Sequence, residues 1–192
     1  WLLPQLPRLT KQRPDLTLHL YVSFTADLLL RLRTREVDCA VLSARFSDPA
    51  LDAVVMHRED YVFVASKALL ERSPLSKPEH AAAHTLVDIS PELPLFRYWR
   101  EEAGAMGASM RFARVLRMGT IAAMEHLVLR GDGVAVLPEY LVRKRLESGA
   151  LRVVFPKVKP GSDHFRMVFR GDDPRRSDYE SLAAMLLESP LR

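Results

Sequence analysis

Two threonines stand where the chain could bind a small anion or a carbonyl oxygen. Thr25 and Thr120 each come directly before a run of residues with helical spacing of its apolar members. The first N–H groups of a helix point outward and, with the helix dipole, favour negative charge. A threonine at such a position also caps its helix. The sequence therefore predicts two helix starts, each with capping and ligand binding as alternatives.

The residue types used in catalysis or metal binding are scattered. The six histidines form no set with cysteines, and no G-x-S-x-G nucleophile motif is present. The glycines Gly104 and Gly107 follow a predicted helix rather than a strand, so they do not form a dinucleotide-binding motif. Cys39 lies inside an apolar strand and is predicted to be unreactive. We expect no catalytic residue, no metal site and no cofactor.

Helices and strands alternate along most of the chain. Residues 2–13 have helical spacing, and residues 16–23 alternate apolar with polar side chains, which predicts a strand with one buried face. Ser177 and Glu180 form a predicted capping box at the start of the last helix. The order predicts an α/β protein with mostly parallel sheets.

One helix–turn–strand pattern occurs twice. Thr25 is separated from Asp38 by the same count as Thr120 from Gly133, and in this register Leu32 aligns with Leu127. The aligned stretches end in the same short apolar strand, Ala40–Leu42 and Ala135–Leu137. We therefore predict two small α/β subdomains with separate sheets and a ligand site between them, near the strand ends.

Composition excludes some classes of protein. Hydrophobic residues make up 48% and charged residues 27%, and no apolar run reaches the length of a membrane span. The net charge of +4 is spread over scattered arginines, unlike a nucleic-acid surface. The single cysteine is compatible with the cytoplasm. The opening residues Trp1–Pro4 lack a signal peptide, and we expect the chain to be a fragment.

The motifs together resemble the effector-binding domain of LysR-type transcriptional regulators. The family pattern has a first helix ending before P-D, a G-x-apolar-D-apolar-A-apolar turn and strand, and G-x-G-apolar-x-apolar-L-P. Here RPDL, REVDCAVL and RGDGVAVLP resemble these segments, and YVFVAS resembles a crossover strand. The resemblance covers residues 1 to about 190.

The resemblance implies a fold like that of type II periplasmic binding proteins, with two Rossmann-like subdomains joined by two crossover strands. Subdomain I would comprise residues 1–64 and 163–192, and subdomain II residues 65–162. A small, anionic metabolite would bind in the cleft and alter the geometry of a DNA-bound tetramer. The family's N-terminal winged helix-turn-helix and the first strand of its effector domain are expected to be missing here.

The resemblance also assigns candidate effector contacts. Thr25 matches a cleft-facing position, and Ser43 and Arg45 follow the next strand, where Arg45 could hold a carboxylate. In the second subdomain Ile89 and Ser90 end a strand and Thr120 begins a helix. Phe24 and Phe96 either line an apolar wall or belong to the core.

Association of two copies follows from the same resemblance. The family pairs these domains antiparallel, which would place residues 2–13 and 16–23 of one copy against the 120–130 helix of another. We therefore predict a homodimer that becomes a tetramer in the full-length regulator and that binds DNA only through the N-terminal domain. The alternatives are a periplasmic solute-binding protein or a small enzyme on the same fold.

Overall fold

A computed structural model describes residues 1–43 and 46–191 as two compact units, each with a sheet of its own. Within the described residues, unit 1 comprises residues 1–59 and 163–191, and unit 2 comprises Asp60–Ser162. The chain leaves unit 1 after β-structure at Glu59 and returns to it at Asp163. The type II periplasmic-binding-protein-like architecture with two α/β parts is confirmed.

The helices and strands alternate in most of the sequence. The helices are α1 (Leu6–Gln12), α2 (Thr25–Arg33), α3 (Lys67–Arg72), α4 (Pro94–Ala103), α5 (Ala105–Ser109), α6 (Ile121–Arg130), α7 (Glu139–Glu147) and α8 (Arg176–Leu187). The strands are β1 (Cys39–Leu42), β2 (Leu51–Glu59), β3 (Tyr61–Ser66), β4 (Thr85–Asp88), β5 (Arg114–Arg117), β6 (Val134–Pro138), β7 (Leu151–Val153) and β8 (Asp163–Arg170). Short 3-10 helices cover Leu3–Gln5 and Pro78–Ala83.

The sheet of unit 1 has three strands in the order β1-β8-β2, and both pairings are antiparallel. The prediction of mostly parallel sheets is therefore wrong for this unit. The reason is that β8, which is distant in sequence, lies between the two early strands and runs against both of them. The sequence around β1 and β2 does not indicate that a distant strand lies between them.

The two faces of this sheet pack against different helices. On β8, Met167 and Phe169 face α8 and α1, where Leu182 and Leu186 complete the cluster. Val168, between them in sequence, joins a separate cluster with Leu32 of α2. The alternation follows from the two-residue period of a strand, which sends successive side chains to opposite faces.

Residues 16–23 form no strand, contrary to the alternation in the sequence. The segment is extended, and Leu18, Leu20 and Val22 are among the exposed large apolar side chains. Leu16 packs against the α8-side cluster, and Tyr21 lies under the guanidinium of Arg31, 4.3 Å from the ring centroid. Alternation encodes two faces of a strand but not the neighbour that a strand needs for its hydrogen bonds.

The sheet of unit 2 has five strands in the order β5-β4-β6-β3-β7. The pairings of β4 with β5 and with β6 are parallel, while β3 runs antiparallel to β6 and β7. All five residues of β6 are buried, as expected for a strand covered on both faces. An aromatic cluster of Phe63, Phe96 and Trp99 fills the core beside it.

The repeated helix–turn–strand is present in both units, but its register differs by one residue from the sequence alignment. Phe24, not Thr25, is the N-cap of α2, and Thr25 is its first residue, whereas Thr120 is the N-cap of α6. Both helices end with a hydrogen bond that spans six residues, from Glu36 N–H to Arg31 and from Asp132 N–H to Leu127. This closure is a Schellman motif, in which the residue after the cap is left-handed.

The left-handed residue is Arg35 in unit 1 and Gly131 in unit 2, with φ of 61° and 78°. A residue with a Cβ in this conformation costs about 1–2 kcal/mol, whereas glycine adopts it freely. Structurally, Arg35 therefore corresponds to Gly131 and not to Arg130. The sequence alignment missed this because the threonines do not occupy equivalent helix positions.

The predicted capping box at α8 is wrong. The helix begins at Arg176 with Arg175 as N-cap, so Ser177 lies inside it, and Glu180 pairs with Arg176 at 2.9 Å. The start of α8 is fixed instead by Asp173, whose side chain is 1% exposed. Its carboxylate accepts hydrogen bonds from Arg175, Arg170 and the Tyr179 hydroxyl.

Candidate functional site

In unit 2 the carboxyl ends of two neighbouring parallel strands bring the predicted contact residues together. The Met118 N–H donates to the Asp88 carbonyl at 2.9 Å, and the Gly119 N–H donates to the Ile89 carbonyl at 3.2 Å. These bonds join the loop after β4, which carries Ile89 and Ser90, to the segment that leads into α6. Ligands of open α/β sheets bind at this type of edge.

Thr120 is exposed at the start of α6 and caps it. Its side-chain oxygen accepts a hydrogen bond from the Ala123 N–H at 3.2 Å. The first N–H groups of a helix have no partner within the helix, so the ten-residue α6 presents donors and a positive dipole end beside Ile89 and Ser90. The capping role predicted for Thr120 is confirmed.

Ser90 is half-buried and donates from its hydroxyl to Glu92, 2.5 Å away. This bond, first among the causes, lowers the pKa of Glu92, and the nearby charge of Arg117 adds to the shift. An exposed carboxylate, that of Glu92 in this loop, therefore lies near an exposed guanidinium, that of Arg117 at the end of β5. Polar groups of both signs thus surround the position where the resemblance places an effector contact.

Asp88 is a positioning residue that sequence reasoning missed. It is fully buried, and its carboxylate accepts hydrogen bonds from the N–H groups of Ile89, Leu95 and Phe96 at 2.7, 3.3 and 2.8 Å. Burial raises its pKa, and the three donors oppose that shift. Asp88 thereby holds the loop that carries Ser90 against the start of α4. An acid at the end of the apolar stretch TLVD was the signal in the sequence.

In unit 1 the candidate contact Ser43 directly follows β1. Its hydroxyl donates to the carboxylate of Glu59, which is 3% exposed and ends β2. Across the ladder, Glu59 is in register with Asp163, whose carboxylate accepts from the Arg166 guanidinium at 2.8 Å. Ser43 is therefore anchored to a buried carboxylate that sequence reasoning did not predict.

The remaining predicted positions differ in their surroundings. Thr25 is half-buried and does not cap α2. Phe24 is 59% exposed, whereas Phe96 is 4% exposed and belongs to the core of unit 2. Arg45 lies outside the described residues.

Other reactive side chains do not gather into a second centre. Burial raises the pKa of the Cys39 thiol to about 11, so the nucleophilic thiolate is scarce near neutral pH. His80 and His84 have the spacing of a helical metal-binding pair, but Pro78–Ala83 is a 3-10 helix with three residues per turn, so residues four apart do not share a face as they do in an α-helix. Among the described residues, no three His, Cys, Asp or Glu side chains are grouped to hold a metal.

Comparison with known proteins gives the family. The profile of the LysR substrate binding domain matches residues 1–190. The chain belongs to the LysR substrate-binding domain family. It is thus a regulatory effector-binding domain of the LysR-type transcription factors.

Two individual relatives have low sequence identity to the chain. The chain is 26% identical over 198 residues to the hydrogen peroxide-inducible genes activator of Dickeya chrysanthemi, covering 98% of this chain and 62% of that protein. It is 30% identical over 156 residues to the phosphonates import ATP-binding protein PhnC of Anaeromyxobacter dehalogenans, covering 80% of this chain and 31% of that protein. The chain thus spans less than two thirds of the length of either relative.

A solved structure shows the same fold. The regulatory domain of CrgA, a LysR-type transcriptional regulator from Neisseria meningitidis, superposes with a TM-score of 0.78 at 20% identity. The match covers 97% of this chain and 90% of that one. Within the described residues, no helix is both long and apolar enough to cross a membrane.

Proposed function

We propose that this LysR-type domain senses a small metabolite that carries an anionic or carbonyl group, received by unit 2 at the start of α6. The main support is that backbone hydrogen bonds join the Ser90 loop, at the end of β4, to the segment between β5 and Thr120. Under this proposal the effector contacts are Thr25, Ser43, Arg45, Ile89, Ser90 and Thr120.

The distribution of charge supports an anionic group in unit 2. Residues 60–162 contain 15 Lys and Arg but 11 Asp and Glu, whereas the rest of the chain contains 13 of each. The whole net charge of +4 therefore belongs to unit 2. A positive domain raises the local concentration of anions and their rate of arrival.

Direct sensing of peroxide by a thiol is a weaker proposal for this chain. The Dickeya relative is named for induction by hydrogen peroxide. Here the one cysteine, Cys39, is in a strand with its pKa raised to about 11. Oxidation by peroxide requires the thiolate, so this position favours non-covalent binding of a metabolite.

The proposed setting is a cytoplasmic regulator in which this domain forms a homodimer, becomes part of a tetramer, and acts on DNA through a separate winged helix-turn-helix. Two exposed apolar surfaces support the association. Leu18, Leu20 and Val22 are 40%, 51% and 83% exposed in unit 1, and Val115 and Leu116 are exposed on the edge strand β5 in unit 2. Exposed edges and apolar patches of this kind are usually covered by a partner.

The effector proposal is tested by thermal unfolding with a panel of carboxylates, amino acids, hydroxy acids, phosphonates and nucleotides. A ligand at 100 times its Kd should stabilise the protein by about 2.7 kcal/mol. Binding should weaken in Ser90→Ala and Thr120→Ala. Ser148→Ala is the matched control, because that hydroxyl donates only to the nearby Arg145 carbonyl in α7. A hit that binds both site variants as tightly as the unaltered chain contradicts the proposed location.

The dimer proposal is tested by sedimentation equilibrium at micromolar concentration. The unaltered chain should have the mass of two copies, and Val22→Asp should shift it towards one copy. Leu141→Asp, at a 37% exposed leucine of α7 outside the residues assigned to the interface, serves as the control. A mass of one copy for the unaltered chain contradicts the proposal.

A further inference from the structure

A depression on unit 1 is lined by three arginines and lies beyond the end of α2. Its volume is about 410 Å3, and its lining includes Arg33, Arg35, Arg170, Leu51 and Gly171. It adjoins the turn before β1, whereas Ser43 follows the other end of that four-residue strand. At about 3.3 Å per residue, the strand separates the two places by roughly 13 Å.

Arg35 occupies a backbone position that does not require a side chain. Its φ of 61° is left-handed, and the equivalent residue of the other turn is Gly131. Glycine would form the same Schellman closure without strain. The arginine therefore has a cost in backbone strain that glycine would not have. Its side chain places a guanidinium at the edge of the depression. Strain held at one residue is a pointer to a role for that residue.

Arg170 lies in the wall of the depression and is 6% exposed. Its Nη1 donates to the carbonyls of Leu32 and Val37 at 2.9 and 2.8 Å, and its Nη2 donates to Asp173. Within the described part of the chain, its Nε is buried without a hydrogen-bond partner. A buried guanidinium whose hydrogen bonds are incomplete is costly, and the charge of an anion in the depression would offset part of that cost.

The carboxylates around the depression differ in how firmly they are held. Asp48 is largely buried and accepts from both the Ala50 N–H and Arg33, and Asp173 is held by three partners. Asp172 pairs with Arg35 at 2.7 Å, but the two side chains are 68% and 60% exposed. Exposed ion pairs of this kind contribute little, so Asp172 can be displaced.

We propose that this depression is an accessory site for a small, multiply charged oxyanion, such as inorganic phosphate or the phosphate of a monoester. The anion displaces Asp172, takes hydrogen bonds from Arg35 and Arg33, and lies over Arg170. Guanidinium groups present paired N–H donors that match phosphate oxygens. Since Arg170 also holds the carbonyls on both sides of the turn, occupancy stabilises the junction of α2 with β1. The site is independent of the effector contacts proposed above.

The test is an amide-resolved NMR titration of the intact chain with inorganic phosphate, at ionic strength held constant with sodium chloride because exposed charges are screened by salt. Saturable shifts are expected at residues 33–37 and 170–173. Arg35→Gly should weaken phosphate binding about fivefold or more, since it removes a charged donor, and Asp172→Asn should strengthen it. Arg35→Gly relieves the strained φ and is expected to stay folded.

Arg130→Ala is the matched control, because Arg130 precedes the equivalent turn of unit 2 and pairs with exposed Asp132 at 3.0 Å. Its phosphate affinity should equal that of the unaltered chain. The proposal is overturned if no saturable shift occurs at residues 33–37 and 170–173, or if Arg35→Gly and Arg130→Ala weaken binding equally. If a phosphate monoester binds at these amides more tightly than inorganic phosphate does, the site also contacts the organic group of the monoester.

Discussion

The two helix–turn–strand segments reach the same geometry by different physical means. In unit 2 the turn is made by Gly131 and Gly133, and the strand that follows is wholly apolar. In unit 1 a left-handed arginine makes the turn, and a buried ion-pair network holds its carbonyls. One arginine also donates to a turn carbonyl in unit 2, from Arg72 to Gly131 at 2.5 Å. A turn can therefore be fixed by backbone freedom or by charged side chains.

Because the two turns are stabilised differently, they should be sensitive to different kinds of substitution. Glycine in a tight turn is sensitive to any added side chain, because neighbouring atoms already fill the space. A charged network is sensitive to the loss of one partner, because the others are left buried and unpaired. The following variants test this contrast.

Loss of the Asp173 carboxylate should have the largest effect. Asp173→Ala leaves the buried Arg170 with only the more distant and exposed Asp38 carboxylate, 4.0 Å away, so we expect the free energy of unfolding to fall by about 3–5 kcal/mol. Chemical denaturation followed by tryptophan fluorescence measures this. Asp172→Ala, at the exposed neighbour, should change stability by less than about 0.5 kcal/mol. Equal effects of the two substitutions would show that the network does not stabilise unit 1.

A methyl group at Gly133 should have the next largest effect. A Cβ there would lie 2.6 Å from Val87 Cγ2 and 2.8 Å from the Thr85 carbonyl oxygen, so β4 and β6 must move apart. Gly133→Ala should destabilise the chain by about 2–3 kcal/mol. The adjacent exposed Asp132→Ala is the control in the same denaturation experiment. A loss below 1 kcal/mol would mean that the strands separate more easily than their packing indicates.

The two left-handed residues should respond in opposite directions. Gly131→Ala places a methyl group in a strained conformation, 3.0 Å from the Ser66 hydroxyl, and should cost about 1–2 kcal/mol. Arg35→Gly removes strain but adds backbone entropy to the unfolded chain, so its net effect should lie near zero. Thermal unfolding of both variants decides this. A large loss in Arg35→Gly would show that the arginine is a structural necessity.

Acid should weaken the two units in different pH ranges, with the smallest effect near neutrality. Burial lowers the pKa of His84 in unit 2, so the unfolded state binds a proton first and stability falls as the pH drops below about 6.5. The Asp173 carboxylate in unit 1 has a lowered pKa, with Arg175 the first cause, so its contribution persists until the pH falls below about 3.9. Hydrogen exchange followed by mass spectrometry at about pH 7, 5 and 3 resolves the two units, because the lowest pH lies below the ordinary pKa of an aspartate.

His84→Gln should remove the step that begins near pH 6.5 and leave the more acidic step unchanged. If unit 1 loses its protection from exchange before unit 2 does, this assignment of the two steps is wrong.

The sequence was sufficient for the features that depend on local pattern. Helical spacing placed α6, and Thr120 at its start is a cap as predicted. The apolar run GVAVLP correctly indicated a strand buried on both faces. These predictions succeed because capping and periodicity involve residues that are close in sequence.

The predicted caps at Thr25 and Ser177 failed locally, by one or two residues, but the other failures depend on distant residues. Residues 16–23 alternate like a strand, yet they lack a neighbouring strand, and β1 pairs with β8 from the far end of the chain. In the sequence, Asp88 is only the last residue of an apolar run. The fold shows that its carboxylate holds the Ser90 loop by accepting hydrogen bonds from three backbone N–H groups. Glu59 beside Ser43 was not predicted because β1 and β2 are separated by β8 in the sheet.

The central claim is that unit 2 receives the effector at the Ser90 loop and the start of α6. Amide-resolved NMR of the intact chain with the compound that most stabilises it tests this most directly. We predict that saturation shifts the amides of Ser90 and of residues 120–123 more than those of the α7 control region around Ser148. A stabilising compound that leaves these amides unshifted at saturation would contradict the account.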